Sequence, residues 1–181
     1  MLLDRCAIAP DEYVVVPLTG SGLKTCAGSS IRPTGATDTP VRARRLRSSI
    51  EVLVYGAGAL GSLVGGLLAR AHDVTLVGRD PHMRRIRDDG LHVEGAIETT
   101  VHPRALTDGY HRSATVALVT TKAYDTDAAA RALSTGEYEV VCSLQNGLTE
   151  ERLVASLDPP VLAGTTSYGA RLLEPGQVRC T

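Results

Sequence analysis

The sequence contains no tryptophan and no phenylalanine, and six tyrosines are the only aromatic side chains among its 181 residues. A core without larger rings must be built from aliphatic and small side chains, the composition of parallel strands covered by helices. An excess of one charge is missing too, since 19 Lys and Arg face 20 Asp and Glu for a formal net of −1. The basic footprint of a nucleic-acid or anionic-membrane binder is therefore not expected. No apolar run approaches the ~18 residues of a membrane span. The opening Met1-Leu2-Leu3-Asp4-Arg5 lacks a basic segment followed by an apolar one, so the chain reads as soluble, unexported and cytoplasmic. Cysteines stand far apart at positions 6, 26, 142 and 180, without a Cys-x-x-Cys pair, which argues against a zinc site or a disulfide framework. The five histidines share no metal-ligand spacing, no Ser-His-Asp order or Gly-x-Ser-x-Gly elbow is present, and no residue is assigned to catalysis.

What is present divides near residue 49. Residues 1–49 carry a local net charge of +3 and the remainder −4. From Leu18 to Ser49 the text is Gly, Ser, Thr, Pro and Arg, with too few large apolar residues to offset the entropy of ordering the backbone, so residues 1–49 are expected to form a disordered leader. The run Tyr13 to Val16 could form a stray strand, but Pro10 and Pro17 bracket it and no partner strand follows nearby. A transit peptide is the alternative for this segment, opposed by Asp11 and Glu12 and by the lack of an amphipathic period. An upstream start in the gene model is another.

From Ile50 the pattern becomes regular. Ile50–Tyr55 reads as a strand, Ala59–Ala71 as a helix, Asp73–Val77 as a second strand, and Pro81–Asp89 as a helix closed by Gly90. Leu91–Val101 reads as a short strand pair turning near Gly95-Ala96. Ala114–Val119 is a buried strand, Asp125–Leu133 a helix, Glu139–Cys142 a strand, Leu148–Leu157 a helix and Val161–Ala163 a strand. Alternation of this kind predicts an α/β, Rossmann-like, doubly wound and mainly parallel sheet over residues 50–181.

Gly56-Ala57-Gly58-Ala59-Leu60-Gly61 lies between the first strand and its helix and fits the dinucleotide fingerprint. The first glycine permits the tight turn, the second lets backbone approach a pyrophosphate, and the third allows close helix packing. A glycine-rich helix packed on a sheet is the alternative. The second strand ends in Val77-Gly78-Arg79, where an NAD enzyme would place an acidic residue on the adenosine ribose. Arg79 suits a 2′-phosphate instead, through charge-assisted hydrogen bonds of roughly 1.5–3 kcal/mol, so NADPH is expected over NADH. Asp80 is the rival for the ribose, although it also suits the cap of the following helix. Further polar strand ends are Thr120-Thr121-Lys122-Ala123-Tyr124-Asp125 and Ser143-Leu144-Gln145-Asn146-Gly147. Lys122 is one of two lysines in an arginine-rich chain, and its compact ammonium can reach phosphate, ribose or a substrate carboxylate. Asn146 can donate and accept, toward a nicotinamide or a substrate hydroxyl, or it and Gly147 form only a turn. Asp125 and Asp127 read as helix-starting residues.

The ordered set Gly56–Gly61, Arg79, Thr121-Lys122-Ala123, Gln145-Asn146-Gly147, Gly164-Thr165-Thr166 and Gly169-Ala170 resembles the ketopantoate reductases, NADPH-dependent enzymes of pantothenate and coenzyme A synthesis. The resemblance spans about Ile50 to Val178. It implies that the glycine loop (Gly56, Ala57, Gly58, Ala59, Leu60, Gly61) and Lys122 bind NADPH, and that Arg79 faces its 2′-phosphate. Asn146 would touch cofactor and substrate, and backbone near Ala170 would border the cofactor. Members of that family continue into a helical domain holding a general-acid lysine and a substrate-positioning glutamate. Those two residues have no counterpart here, and Gly176–Arg179 reads as a strand interrupted at its start, so truncation of the domain is expected. The implied function is the NADPH-binding half of an enzyme that reduces 2-dehydropantoate (ketopantoate) to pantoate. The alternatives are a stand-alone NADPH-binding module or inactive fragment, or a related NADP-dependent oxo-acid reductase.

Overall fold

The computed structural model describes residues 16–18 and 49–181. Apart from Val16–Leu18, and from Ser49 at its end, the expected leader lies outside the described residues. Those three residues form β1, which pairs in parallel with a strand far along the chain, Val161–Thr166. β1 is an edge strand, where a proline without an N–H is tolerated.

The remaining elements follow the predicted alternation. They are β2 (Glu51–Tyr55), α1 (Ala59–Leu68), β3 (Asp73–Val77), α2 (His82–Asp89), β4 (Leu91–Gly95), β5 (Thr99–Val101), β6 (Arg104–Leu106) and β7 (Ala114–Val119). A 3₁₀ turn (Ala123–Asp125) leads into α3 (Thr126–Leu133), then β8 (Tyr138–Ser143), α4 (Glu150–Val154), β9 (Val161–Thr166), β10 (Ala170–Glu174) and β11 (Gln177–Cys180). The main sheet has the order β1-β9-β8-β7-β2-β3-β6 and every neighbouring pair is parallel. From β6 to β9 this is the 3-2-1-4-5-6 winding of a dinucleotide-binding sheet, whose order reverses beside β2.

Alternate residues of β2 face two cores. Val52 and Val54 pack with Leu63 and Val64 of α1 and Met83 and Ile86 of α2, whereas Leu53 packs with Ala129, Ala130 and Leu133 of α3 and Leu153 of α4. Helices thus cover both faces, as the aliphatic composition requires.

A second sheet, β10-β11-β4-β5, was only half legible in the sequence. The expected strand pair is β4 and β5, antiparallel, but β4 also pairs in parallel with β11. The segment read as an interrupted strand is therefore β11, paired on its other side with β10. This sheet packs on α1, and Cβ atoms at Gly65 and Gly66 would strike Leu76 of the main sheet and Val93 of the small one. α1 is apolar all round because it is sandwiched between two sheets. The largest differences from the expected helices are that α1 ends at Leu68 and that α4 spans only Glu150–Val154, leaving Leu148 90% exposed. No described helix is long and apolar enough to cross a membrane.

Candidate functional site

The turn between β2 and α1 is fixed by backbone. Gly56 has φ +106°, and the N–H groups of Gly56 and Ala57 both donate to the carbonyl of Val77 at the end of β3, at 2.9 and 2.8 Å. From the other side the Thr120 hydroxyl donates to the Gly56 carbonyl at 2.8 Å. A Cβ at Gly56 would lie 2.6 Å from the Thr121 nitrogen, and one at Gly61 would collide with the Gly56 carbonyl and the Thr120 hydroxyl. Gly58 differs from both. It is exposed, and a Cβ there would meet nothing nearer than the Gly56 oxygen at 3.9 Å. Ala57 is buried beneath the turn, while Ala59 and Leu60 are half-buried in the first turn of α1. That helix start has no side-chain cap and no acidic residue in its first turn. Its unpaired N–H groups and its positive dipole end are left to an anion, with room over Gly58 for one.

Arg79 follows β3 and Gly78, and a Cβ at Gly78 would touch Ala57, so Arg79 adjoins the glycine turn. Its side chain is 88% exposed, and one guanidinium nitrogen sits 3.4 Å from Asp125 Oδ2. Asp80 does not cap α2, as the sequence suggested. Pro81 occupies that position without a side-chain cap, and Asp80 lies 3.6 Å from Arg87. Nor do Asp125 and Asp127 cap α3 with their side chains, although they stand at its start, and Asp127 pairs with Arg152.

Lys122 precedes the 3₁₀ turn in extended conformation, with its side chain exposed and no carboxylate partner among the described residues. Its loop is held by Gln145. The buried Gln145 Nε2 reaches the Thr121 carbonyl and hydroxyl (3.2 and 3.0 Å), the Lys122 carbonyl (3.3 Å) and the Thr126 hydroxyl (3.0 Å). The Ser143 hydroxyl donates to Gln145 Oε1 at 3.4 Å. One amide thereby clamps the loop after β7 to the loop after β8. Asn146 follows it, exposed, beside Gly147 at φ +97°.

The structure thus gathers the Gly56–Gly61 turn, Arg79, Lys122 and Asn146 at the carboxyl edge of β2, β3, β7 and β8. Ala170 belongs to a different layer, opening β10 of the small sheet against the α1 core. Sequence reading missed Thr120, Gln145 and the pairing role of Asp125. Each acts through a contact more than 18 residues away, which composition and period do not encode. Tyr55, at the end of β2, has its pKa raised by burial, then by Tyr110 and by the carboxylates of Asp108 and Asp125. A cavity of about 510 Å³, lined by Glu51, Asp73 and Arg104 among others, lies at the opposite, amino edge of the strands.

Residues 52–181 match the family described as Ketopantoate reductase PanE/ApbA. A curated 2-dehydropantoate 2-reductase of Halobacterium salinarum is 44% identical over 138 residues, covering 72% of this chain and 46% of the relative. Among solved structures, a PanE/ApbA family ketopantoate reductase from Ralstonia eutropha JMP134 aligns with TM-score 0.68 at 33% identity, over 72% of this chain and 46% of that one. The ternary structure of D-mandelate dehydrogenase with NADH and anilino(oxo)acetate aligns with TM-score 0.64 at 25% identity, over 72% and 45%. The chain spans about half the length of the curated relatives it matches.

Proposed function

This chain belongs to the ketopantoate reductase family, and from that premise we propose that it is the NADPH-binding part of a 2-dehydropantoate 2-reductase-like enzyme. The observation that carries the reading is the uncapped start of α1 beside the open Gly58, with exposed Arg79 and Lys122 standing after β3 and β7. These groups fit a dinucleotide phosphate. The unpaired backbone N–H groups at the start of α1, after Gly58, would receive the pyrophosphate, Arg79 would hold the 2′-phosphate, and the Lys122 ammonium would add a charge that can follow phosphate or ribose. The Asn146 amide orients the nicotinamide and a substrate hydroxyl, since it both donates and accepts. When bound, NADPH supplies the hydride that reduces the ketone of 2-dehydropantoate to the alcohol of pantoate. Gln145 keeps the Lys122 and Asn146 loops at fixed spacing while this occurs, and no described residue is assigned as the proton donor to the new alcohol.

The test is a titration of the chain with NADPH followed by nicotinamide fluorescence. Saturable binding is expected, with Arg79→Ala and Lys122→Met each raising Kd by about tenfold or more. No saturable binding sinks the reading. Oxidation of NADPH in the presence of 2-dehydropantoate, with pantoate formed, supports the reductase half of it. Binding without oxidation leaves a dinucleotide-binding module.

A further inference from the structure

We infer that Asp125 is the carboxylate that reads the 2′ position of the adenosine ribose and that it opposes Arg79 there, so that the two residues together set the choice between NADPH and NADH. The inference rests on the proposed dinucleotide site and goes beyond it by naming a residue that works against the expected cofactor. In this fold the ribose lies beyond the end of the second strand, where a carboxylate accepts a hydrogen bond from the 2′-hydroxyl of NADH or an arginine meets the 2′-phosphate of NADPH. At that place the chain offers Arg79 and two nearby carboxylates. Asp80 is drawn aside, 3.6 Å from Arg87. Asp125 faces Arg79 directly, its Oδ2 3.4 Å from the guanidinium. The two partners are unequally held. Arg79 is almost fully exposed, whereas Asp125 is two-thirds covered, with its backbone N–H bonded to the Lys122 carbonyl and its side chain making no cap bond to α3. The carboxylate is therefore the more restrained of the two groups, and the arginine side chain the freer one.

A group that Arg79 binds from its observed position comes close to Asp125 as well. A 2′-phosphate carrying roughly −1.5 to −2 charges is repelled by that carboxylate and must also draw Arg79 away from it. A 2′-hydroxyl meets an acceptor. The NAD-type acid that is missing after β3 is supplied instead from the loop after β7, 46 residues away. The site accordingly accepts both dinucleotides with a smaller bias than Arg79 alone would impose.

The experiment measures Kd for NADPH and for NADH by equilibrium fluorescence titration at fixed ionic strength, on the unmodified chain, Asp125→Asn, Asp125→Ser and Asp80→Asn. Each Asp125 variant is expected to tighten NADPH about three- to tenfold and to weaken NADH, moving the ratio about tenfold or more toward NADPH, with Asp80→Asn leaving it unchanged. An unchanged ratio in both Asp125 variants, a shift toward NADH, or the same shift from Asp80→Asn overturns the inference. If the unmodified chain binds neither dinucleotide, the proposed function fails before the question of Asp125 arises.

Discussion

The side-chain amide of Gln145 stands 3.0 Å from the hydroxyl of Thr126, joining the turn after β8 to the first residue of α3. The same nitrogen reaches the carbonyls of Thr121 and Lys122, so the loop that presents Lys122 has its shape set by a residue that itself faces away from solvent. Gln145→Leu removes the donor and leaves buried acceptors unpaired, at a cost of about 1–3 kcal/mol in urea unfolding. It also weakens NADPH several-fold under conditions where the variant is fully folded. Gln145→Glu does no better, because a carboxylate has no hydrogen to give the carbonyls of Thr121 and Lys122. A Gln145→Leu protein that unfolds earlier but binds NADPH with the original Kd would make the clamp purely structural.

Gly58 and Gly61 flank one helical turn but have opposite surroundings. Ala at Gly61 strikes the backbone of Gly56 and the Thr120 hydroxyl, so Gly61→Ala is expected to lower stability by about 1–3 kcal/mol. Ala at Gly58 meets open space, on a backbone whose φ of −85° suits any residue, and is expected to unfold with the original midpoint. Its cost falls on the ligand. The new methyl occupies the place over the α1 amides, and the Kd for NADPH should rise tenfold or more. An unchanged Kd for NADPH in Gly58→Ala would show that the space over Gly58 has no such use.

The contrast between these glycines shows what could be read from the chain alone. The fingerprint, β3 and β7 were legible because strand, turn and helix are neighbours in sequence and their apolar periods are unbroken. β6 was not, since Arg104-Ala105-Leu106 is too short for a period to show and is recognisable only through its pairing with β3. The small sheet was legible only in its β4–β5 pair, because β4 meets β11 more than 80 residues later. As an apolar residue Leu148 suits α4, but the Asn146-Gly147 turn leaves it outside, where Thr149 precedes the first helical turn. At the site, Arg79 and Lys122 stood out by residue type and position. Asp125 and Gln145 did not, because their importance lies in partners brought near only by the winding of the sheet.

Tyr168 lies between β9 and β10, and its hydroxyl is the one buried side-chain polar atom without a hydrogen-bond partner among the described residues. Its ring packs against the α1 core. A hydroxyl that loses water and gains no partner opposes folding, so Tyr168→Phe is expected to be neutral or to stabilise by up to about 2 kcal/mol in urea unfolding. A clear loss of stability would mean that the hydroxyl has a partner in solution.

His82 links the small sheet to the helices beneath it. The Gly176 N–H, in the turn between β10 and β11, donates to His82 Nδ1 at 2.9 Å, so Nε2 carries the proton and donates to the Ser62 hydroxyl of α1 at 2.8 Å. Burial lowers the pKa of this histidine below its usual 6.5, and a proton added at Nδ1 would oppose the Gly176 N–H. The unfolded chain takes up its proton near pH 6.5 while the folded one resists it. The contribution of the neutral ring is therefore complete above that pH, declines as pH falls below it, and is lost once pH passes through the folded value. Thermal unfolding should show Tm decreasing from pH 7.5 to about 5.5 more steeply in the unmodified chain than in His82→Gln, whose amide can donate and accept but does not titrate. Taking the difference between the two proteins removes the carboxylates, which contribute equally to both. Parallel slopes over this range would remove His82 as the source of the pH dependence.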